Sequence, residues 1–423
     1  MGDYGRNYIK AGRQMTNKQA AIKIIKRLSR DGFKALLAGG CVRDMLLGRR
    51  AHDFDVATDA APADVIRIFK RTLKVGAKFG VVIVLLEGRQ VEVATFRTEV
   101  GYVDGRHPGR VKFAGAAEDA GRRDFTINGM FYDPIKREVI DYVGGQADLE
   151  KQIVRTIGKP AERFSEDYLR MLRAVRFSTQ LGFAIERRTF SAIRSNAKKI
   201  AKISGERIAI ELEGILAGPK RSAGASMLAK SGLAEAIFPG FPFRGMKLAI
   251  RVLSQLRKKV DFALALAGLF AGCEAEFALE KCRILKLSKS QSRHIKFLLT
   301  NRGKLLDDRM SVAELKLTVS EPYFRDLYEL QRAIEKARRN GKGGIAALGR
   351  LRKRIKALGD VELRPKPLLN GHDLIRLGAV PGPGLGQLAE EMYIAQLEGE
   401  LQTVEQARQW AQKWLQRHRM VEK

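Results

Sequence analysis

Asp53 and Asp55 stand two apart in His52-Asp53-Phe54-Asp55-Val56. On a strand that spacing puts both carboxylates on one face and turns Phe54 the other way, toward a core. Paired carboxylates repel unless a cation sits between them. Hard oxygen ligands suit Mg²⁺, which takes one or two protein carboxylates together with phosphate oxygens. Just upstream, Gly39 and Gly40 follow the apolar run Ala35-Leu36-Leu37-Ala38 and precede Cys41-Val42-Arg43-Asp44. Without a Cβ they let a ligand come close to the backbone. A helix starting after them would aim its free N–H groups at an anion. A phosphate cradle beside a Mg²⁺ carboxylate pair points to phosphoryl or nucleotidyl transfer. Glu92 is expected on a neighbouring strand as a third carboxylate near the pair, with a solvated edge-strand glutamate as the alternative.

A second group lies further on. Asp167, Arg170, Arg173 and Arg176 recur every third residue in a stretch that reads as one helix capped by Ser165, with Leu169, Leu172, Val175 and Phe177 (or Ala174) as its buried stripe. Residues three apart on a helix are neighbours, so this is a ridge of one acid followed by three bases. A surface ion pair with extra charge is the alternative reading.

The elements that must position these groups follow from the surrounding pattern. Residues 16–31 carry Ala21, Ile24, Ile25 and Leu28 at helical spacing behind Thr16, a natural N-cap. The run 35–38 is too short for a helix and reads as a buried strand. Pro62 opens a helix through Phe69. Strands are expected at 79–86 and 90–96, split by the hairpin signal Glu87-Gly88-Arg89. Residues 98–121 show no sustained period and read as a long functional or mobile loop. Strands at 129–132 and 138–141 close the sheet around Asp133-Pro134, and the first domain ends near Lys159-Pro160. Beyond it the pattern is helical almost to the end. Residues 262–270 look like a core helix. Lys336, Arg338, Arg339, Lys342, Arg350, Arg352, Lys353, Arg354 and Lys356 make two basic helices, with a hinge at Gly341, Gly343 and Gly344.

Composition narrows the partners. A length of 423 residues implies two to four domains, and 45% hydrophobic residues suffice for a sizeable core. A net charge of +31 is costly for a compact chain without a polyanionic partner. Nucleic acid is favoured over a membrane, because no single basic amphipathic segment dominates. Cys41, Cys273 and Cys282 form no CxxC pair and no cluster with histidine, which argues against a disulfide framework or a zinc site and fits a reducing cytoplasm. Residues 1–13 are basic and lack an apolar core, so no secretory signal is expected there. The longest apolar run, 262–273, is too short to span a bilayer, which needs about 20 residues, so no membrane partner is expected. His52-Asp53 and His372-Asp373 are isolated, which argues against a phosphohydrolase domain.

The order strand, Gly39-Gly40, Arg43-Asp44, helix, Asp53-Phe54-Asp55 resembles the signature of nucleotidyltransferases with a polymerase-β-like core. Arg122-Arg123-Asp124-Phe125-Thr126-Ile127-Asn128, the ridge at 167–176, and Glu206-Arg207-Ile208-Ala209-Ile210-Glu211-Leu212 follow in the order of the bacterial class II branch, the CCA-adding tRNA nucleotidyltransferases and poly(A) polymerases. The likeness is specific over 36–216 and diffuse afterwards. Gly76-Ala77-Lys78-Phe79-Gly80 is closer to the CCA-adding pattern than to the Gly-basic-basic-Phe of the poly(A) polymerases, and the long segment after the third strand is one that enzymes adding only CC tend to lack. Leu369-Asn370-Gly371-His372-Asp373 and Pro381-Gly382-Pro383-Gly384 resemble the linker and helix start of the family's C-terminal part.

The resemblance implies an α+β fold: a nucleotidyltransferase head with a mixed β-sheet at 1–160, a helical neck at 161–220, a helical body at 221–325 and a basic, RNA-binding helical tail at 326–423. It implies a two-metal Mg²⁺ site on Asp53 and Asp55, nucleotide contacts from Gly40, Arg43 and Arg123, base reading by Asp167 with Arg170, and phosphate contacts from Arg173 and Arg176. Glu206 to Leu212 would brace the preceding helix. The expected substrates are CTP, ATP and the 3′ end of tRNA, with A-addition, poly(A) synthesis and a non-catalytic RNA-binding protein as alternatives. Two residues depart from the pattern: Gly129, where relatives more often carry alanine, and Tyr168, inside the base-reading motif.

Overall fold

The computed structural model describes residues 15–74, 76–102 and 108–419; the basic segment 1–13 and the middle of the 98–121 stretch lie outside them. Contacts divide the chain into two units, residues 1–240 and 241–423.

The first unit opens with α1 (Asn17–Arg30), whose N-cap Thr16 forms a capping box with Gln19. Then come β1 (Ala35–Ala38), α2 (Gly40–Leu46), β2 (Asp55–Thr58), α3 (Pro62–Ile68), β3 (Thr72–Leu73), β4 (Val81–Leu86) and β5 (Arg89–Thr95). Glu87 and Gly88 both have positive φ, as a tight two-residue hairpin between β4 and β5 requires. The stretch expected to be a loop is instead structured: β6 (Arg97–Tyr102) pairs antiparallel with β7 (Pro108–Phe113), and α4 (Ala116–Arg122) follows. Its glycines and charges hid a hairpin, which needs no buried apolar alternation of its own. β8 (Phe131–Asp133) and β9 (Glu138–Ile140) complete a seven-stranded sheet of order β3-β4-β5-β2-β1-β8-β9. It is mixed, because β2 and β5 run parallel while the other pairs are antiparallel. α1 packs on β1, β2 and β5. Leu36, Ala38, Ala57, Phe96 and Phe131 form a buried cluster with Ala116 and Ala120 of α4.

α5 (Gly145–Glu150), β10 (Ile153–Val154), α6 (Pro160–Glu166), α7 (Leu169–Leu181), β11 (Ala184–Ile185), α8 (Arg187–Asn196), α9 (Gly205–Leu216), α10 (Arg221–Lys230) and α11 (Leu233–Ile237) finish this unit. It therefore runs past 220, the expected end of the neck, because α10 packs on α7 and α9 and α11 packs on α10. The sheet domain and the following helices are tied by side chains as well. Arg49 donates to the carbonyls of Gln180 and Leu181 at the C-terminal end of α7.

The second unit is helical. All eight residues of the helix Phe262–Leu269 are buried, as its apolar run foretold. A smaller core gathers Leu369, Leu374, Leu388, Met392, Ala407 and Ala411, and Asn370 caps the helix Gly371–Arg376 with a capping box to Asp373. Of the three glycines expected as a hinge, Gly343 and Gly344 lie inside the helix Lys342–Ala357, and Gly341 alone stands between it and the helix Phe324–Ala337. A Cβ on Gly341 would run into the Glu335 carbonyl oxygen, and one on Gly344 into the Glu335 carboxylate. Gly341 and Gly344 are glycine so that the two helices can close on each other, whereas Gly343 faces open space. No described helix is long and apolar enough to cross a membrane, and the three cysteines are free and buried.

Candidate active site

A cleft of about 490 Å³ is lined by Gly39, Gly40, Arg43, Asp55, Arg122, Arg123, Asp124, Asn128, Asp167, Leu169, Arg170, Arg173, Arg176, Phe177 and Arg207. Nearly all the expected site residues thus meet in one place, drawn from the turn into α2, α2 itself, β2, the segment 122–128, the entrance of α7, α7 and α9. Gly39 turns the chain from β1 into α2 at φ +75°, and a Cβ there would stand 3.0 Å from Nη1 of Arg123. That position needs glycine twice over. Gly40 does not: a Cβ there would only reach ordinary contact with Arg43.

The carboxylates sit at the mouth of β2 and β5. The parallel register pairs Val56 with Val93, so one step back Asp55 stands beside Glu92. Burial, then Glu92, then Asp53 push the Asp55 carboxyl up to about 6, against the pull of Arg123. The structure therefore brings all three acids near one another, and Glu92 stands on an interior strand and not an edge, although its side chain is exposed. One detail differs. β2 begins only at Asp55, so strand alternation does not reach Asp53 and Phe54. Phe54 is half-buried in a groove with Arg50 and His52 and is not part of the core. Three neighbouring carboxylates whose like charges repel are a fitting place for a divalent cation.

Opposite them the arginines are held, one by one. Arg43 donates to Asp44 at 2.9 Å and to Asn128 Oδ1 at 2.7 Å. Arg123 lies 2.9 Å from Asp119 and 5.0 Å above the Phe131 ring. Asp119, only 2% exposed, also takes Arg122. Burial raises its carboxyl, yet Arg123 and Arg122 outweigh that and hold it below the usual range. Asp124 is likewise buried, and Arg173 at 2.6 Å keeps it below that range. Arg176 pairs with Glu211 at 2.6 Å. Arg43, Arg173 and Arg176 all stack over the ring of Phe177, at 5.3, 5.3 and 4.3 Å.

The ridge of four breaks at its first member. α6 ends at Glu166 and α7 starts at Leu169, so Ser165 lies inside α6 and caps nothing, and Asp167 lies between the helices in extended backbone. Its Oδ1 accepts from the Leu169 N–H at 3.0 Å and its carbonyl from the Arg170 N–H at 3.0 Å. Aspartate is favoured at such a helix entrance over a helix interior, because its short side chain competes for nearby backbone donors. Its Oδ2 takes Arg207 of α9 at 2.7 Å. Arg170 turns instead to Glu166 and to the carbonyls of Arg163 and Arg122. The expected brace is present, since from α9 Glu211 holds Arg176 and Arg207 holds Asp167.

Sequence reasoning missed Asp119, Asn128, Arg207 and Phe177 as members of this site. Asp119 stands three and four residues before Arg122 and Arg123, a helical spacing that was readable had 116–122 been taken as a helix. The two departures also find reasons. A Cβ on Gly129 would meet Val143 at 2.7 Å and Ile157 at 2.9 Å. Tyr168 is buried beneath Lys199 and Lys202 at 5.5 and 5.9 Å, behind the cleft wall.

A mixed sheet presenting clustered carboxylates to an arginine-lined, glycine-turned cleft is the head of a nucleotidyltransferase. Residues 35–155 match the family model described as Poly A polymerase head domain, and 182–243 match that of a probable RNA and SrmB-binding site of polymerase A. A CCA-adding enzyme of Geobacillus thermodenitrificans is 36% identical over 96% of this chain and 98% of its own length. Another from Lactobacillus johnsonii is 35% identical over 92% and 95%. The crystal structure of the Bacillus stearothermophilus CCA-adding enzyme in complex with CTP superposes with a TM-score of 0.76 at 31% identity, covering 96% of this chain and 99% of that one. The chain belongs to the family of CCA-adding enzymes, and with that family goes dependence on a divalent metal.

Proposed function

We propose that this chain adds C, C and A to the 3′ end of tRNA from CTP and ATP, without a nucleic-acid template and with release of pyrophosphate. The observation that supports this reading most is Asp55 facing a wall of fixed guanidiniums across one cleft, with Asp53 and Glu92 close enough to raise its carboxyl.

Asp53 and Asp55 would hold a pair of Mg²⁺ ions, with Glu92 completing the acidic cluster. Bound there, the metals supply the lowered pKa of the attacking hydroxyl and the charge neutralisation that lets pyrophosphate leave. Gly39 and Gly40 let the triphosphate approach the backbone, and Arg43, Arg123, Arg173 and Arg176 offer donors to ribose and phosphates. Their own acid and aromatic partners fix them before substrate arrives, so little ordering cost remains at the moment of reaction. No side-chain general base is required, because positioning and charge neutralisation carry phosphoryl transfer.

Asp167 and Arg170 read the base. Cytosine and adenine each present an amino donor beside a ring-nitrogen acceptor. A carboxylate accepts from the first and a guanidinium donates to the second. Uracil and guanine put a carbonyl where the amino group would be, which leaves the carboxylate facing an acceptor. Arg207 on the far oxygen of Asp167 orients it for that task. The unpaired cations of 336–356 contact RNA phosphates, and the site of action is the cytoplasm.

The test is incubation of the protein with divalent metal and a tRNA lacking its CCA end, with CTP and ATP separately and together. CTP alone should give two additions, and both nucleotides three. Long A tracts on any RNA would make this a poly(A) polymerase, and no incorporation would leave only an RNA-binding module.

A further inference from the structure

We propose a transition-metal site in the second unit, built by Asp261, His294 and Asp326 and suited to Zn²⁺. Asp261 caps the helix Phe262–Leu269, His294 lies in the helix Lys289–Thr300, and Asp326 lies in the first turn of the helix Phe324–Ala337. One ligand atom from each lies within 4.8 Å of the others, although the three are far apart in sequence. His294 is 7% exposed, and its Nε2 has no hydrogen-bond partner. That nitrogen faces Oδ2 of Asp326 at 3.3 Å, within the range of charge attraction. A buried imidazole with an acid facing each ring nitrogen, and no strong hydrogen bond on Nε2, calls for an explanation.

The rest of the geometry serves a ligand set. Each carboxylate has one oxygen committed elsewhere and the other turned to the imidazole. Oδ1 of Asp261 accepts from the Leu264 N–H at 2.8 Å, while its Oδ2 stands 3.5 Å from Nδ1 of His294. Oδ1 of Asp326 takes Arg257 at 2.5 Å, leaving Oδ2 toward the ring. Such outer partners orient metal ligands and fix their rotamers. Tyr323 stacks on the imidazole at 4.1 Å, which sets its plane. One imidazole and two carboxylates, with Asp261 half open to solvent, match a Zn²⁺ centre that keeps a water. Zn²⁺ takes nitrogen and oxygen ligands at about 2.0–2.2 Å, so the three atoms would draw in around the ion. Arg257 offsets one of the two negative charges, so a divalent ion leaves the cluster with a modest surplus of positive charge. Bound there, the ion would clamp three helices of this unit together.

The test uses the full chain carrying Asp53→Asn and Asp55→Asn, so that the head carboxylates no longer take up metal, in equilibrium dialysis against Zn²⁺ after chelator treatment. One Zn²⁺ per chain is expected, with an upward shift of the thermal midpoint. His294→Phe keeps the stacking and burial and should abolish both. Asp261→Asn retains the cap on Leu264 and should weaken binding without unfolding the protein. No Zn²⁺ bound in the head variant, or equal Zn²⁺ binding after His294→Phe or Asp261→Asn, would overturn the site. The first result would leave His294 as an imidazole set between two acids.

Discussion

The arginines of the head cleft and the cations of 336–356 carry the same charge in opposite circumstances. In the cleft every guanidinium has an assigned acid, carbonyl or ring, and the acids behind them, Asp119, Asp124 and Glu211, are buried. Among the described cations of 336–356, Arg338, Arg350 and Arg354 are tied down, by Glu335 and by the 308–310 segment. Lys336, Arg339, Lys342, Arg352, Lys353 and Lys356 are exposed, and none has an ion-pair partner among the described residues. Fixed charge selects and orients a small substrate. Free, hydrated charge attracts a polyanion at any register, by releasing its counterions.

Breaking the fixed set should be the more costly. Arg173→Ala leaves the buried Asp124 carboxylate unpaired and should destabilise the first unit by about 3 kcal/mol in denaturant unfolding. Arg339→Ala should stay within about 0.5 kcal/mol. Equal losses would erase the distinction. A smaller effect is expected from Asp167→Ala: discrimination against UTP and GTP should relax by about 10- to 100-fold, the value of one or two unsatisfied polar groups. Clean C and A incorporation in that variant would return Asp167 to a purely structural role at the entrance of α7.

The free set should show itself through salt. Charge reversal at Lys336, Arg339 and Lys342 should weaken tRNA binding and flatten the salt dependence by about 0.7–0.9 per lost phosphate contact, while CTP binding to the head survives. An unchanged slope would make that surface merely solvated. The smallest effect is a pH dependence. Asp55 has its folded-state pKa raised to about 6. Its contribution to stability is therefore fully present below the unfolded value near 3.9 and is lost as pH rises through about 6. Divalent metal should restore it, so the metal-induced rise in thermal midpoint should be larger at pH 7.5 than at pH 5, and Asp55→Asn should flatten that difference.

Much of the head was legible because its signals are local. The four-residue apolar strand, the Glu87-Gly88 turn, Thr16 as a cap and the Asp-x-Asp spacing each depend on a few neighbours. What was not legible depends on partners distant in sequence. Nothing near Asp124 announces that Arg173 will neutralise it, and nothing near Phe177 announces three guanidiniums on its ring. Asp167 misled for the opposite reason: a perfect three-residue period continued across a helix junction that the aspartate itself helps to make. Gly341 misled because a glycine demanded by close packing reads like one that gives freedom.

The most direct measurement is single-turnover incorporation of CTP into a tRNA lacking its CCA end by Asp55→Ala, alongside CTP binding and unfolding of the same variant. Incorporation should fall by about a thousandfold or more, equivalent to the several kcal/mol that metal-borne charge stabilisation supplies, while the protein stays folded and still binds nucleotide. Near-normal incorporation by the folded variant would contradict the assignment of this cleft as the centre of nucleotidyl transfer.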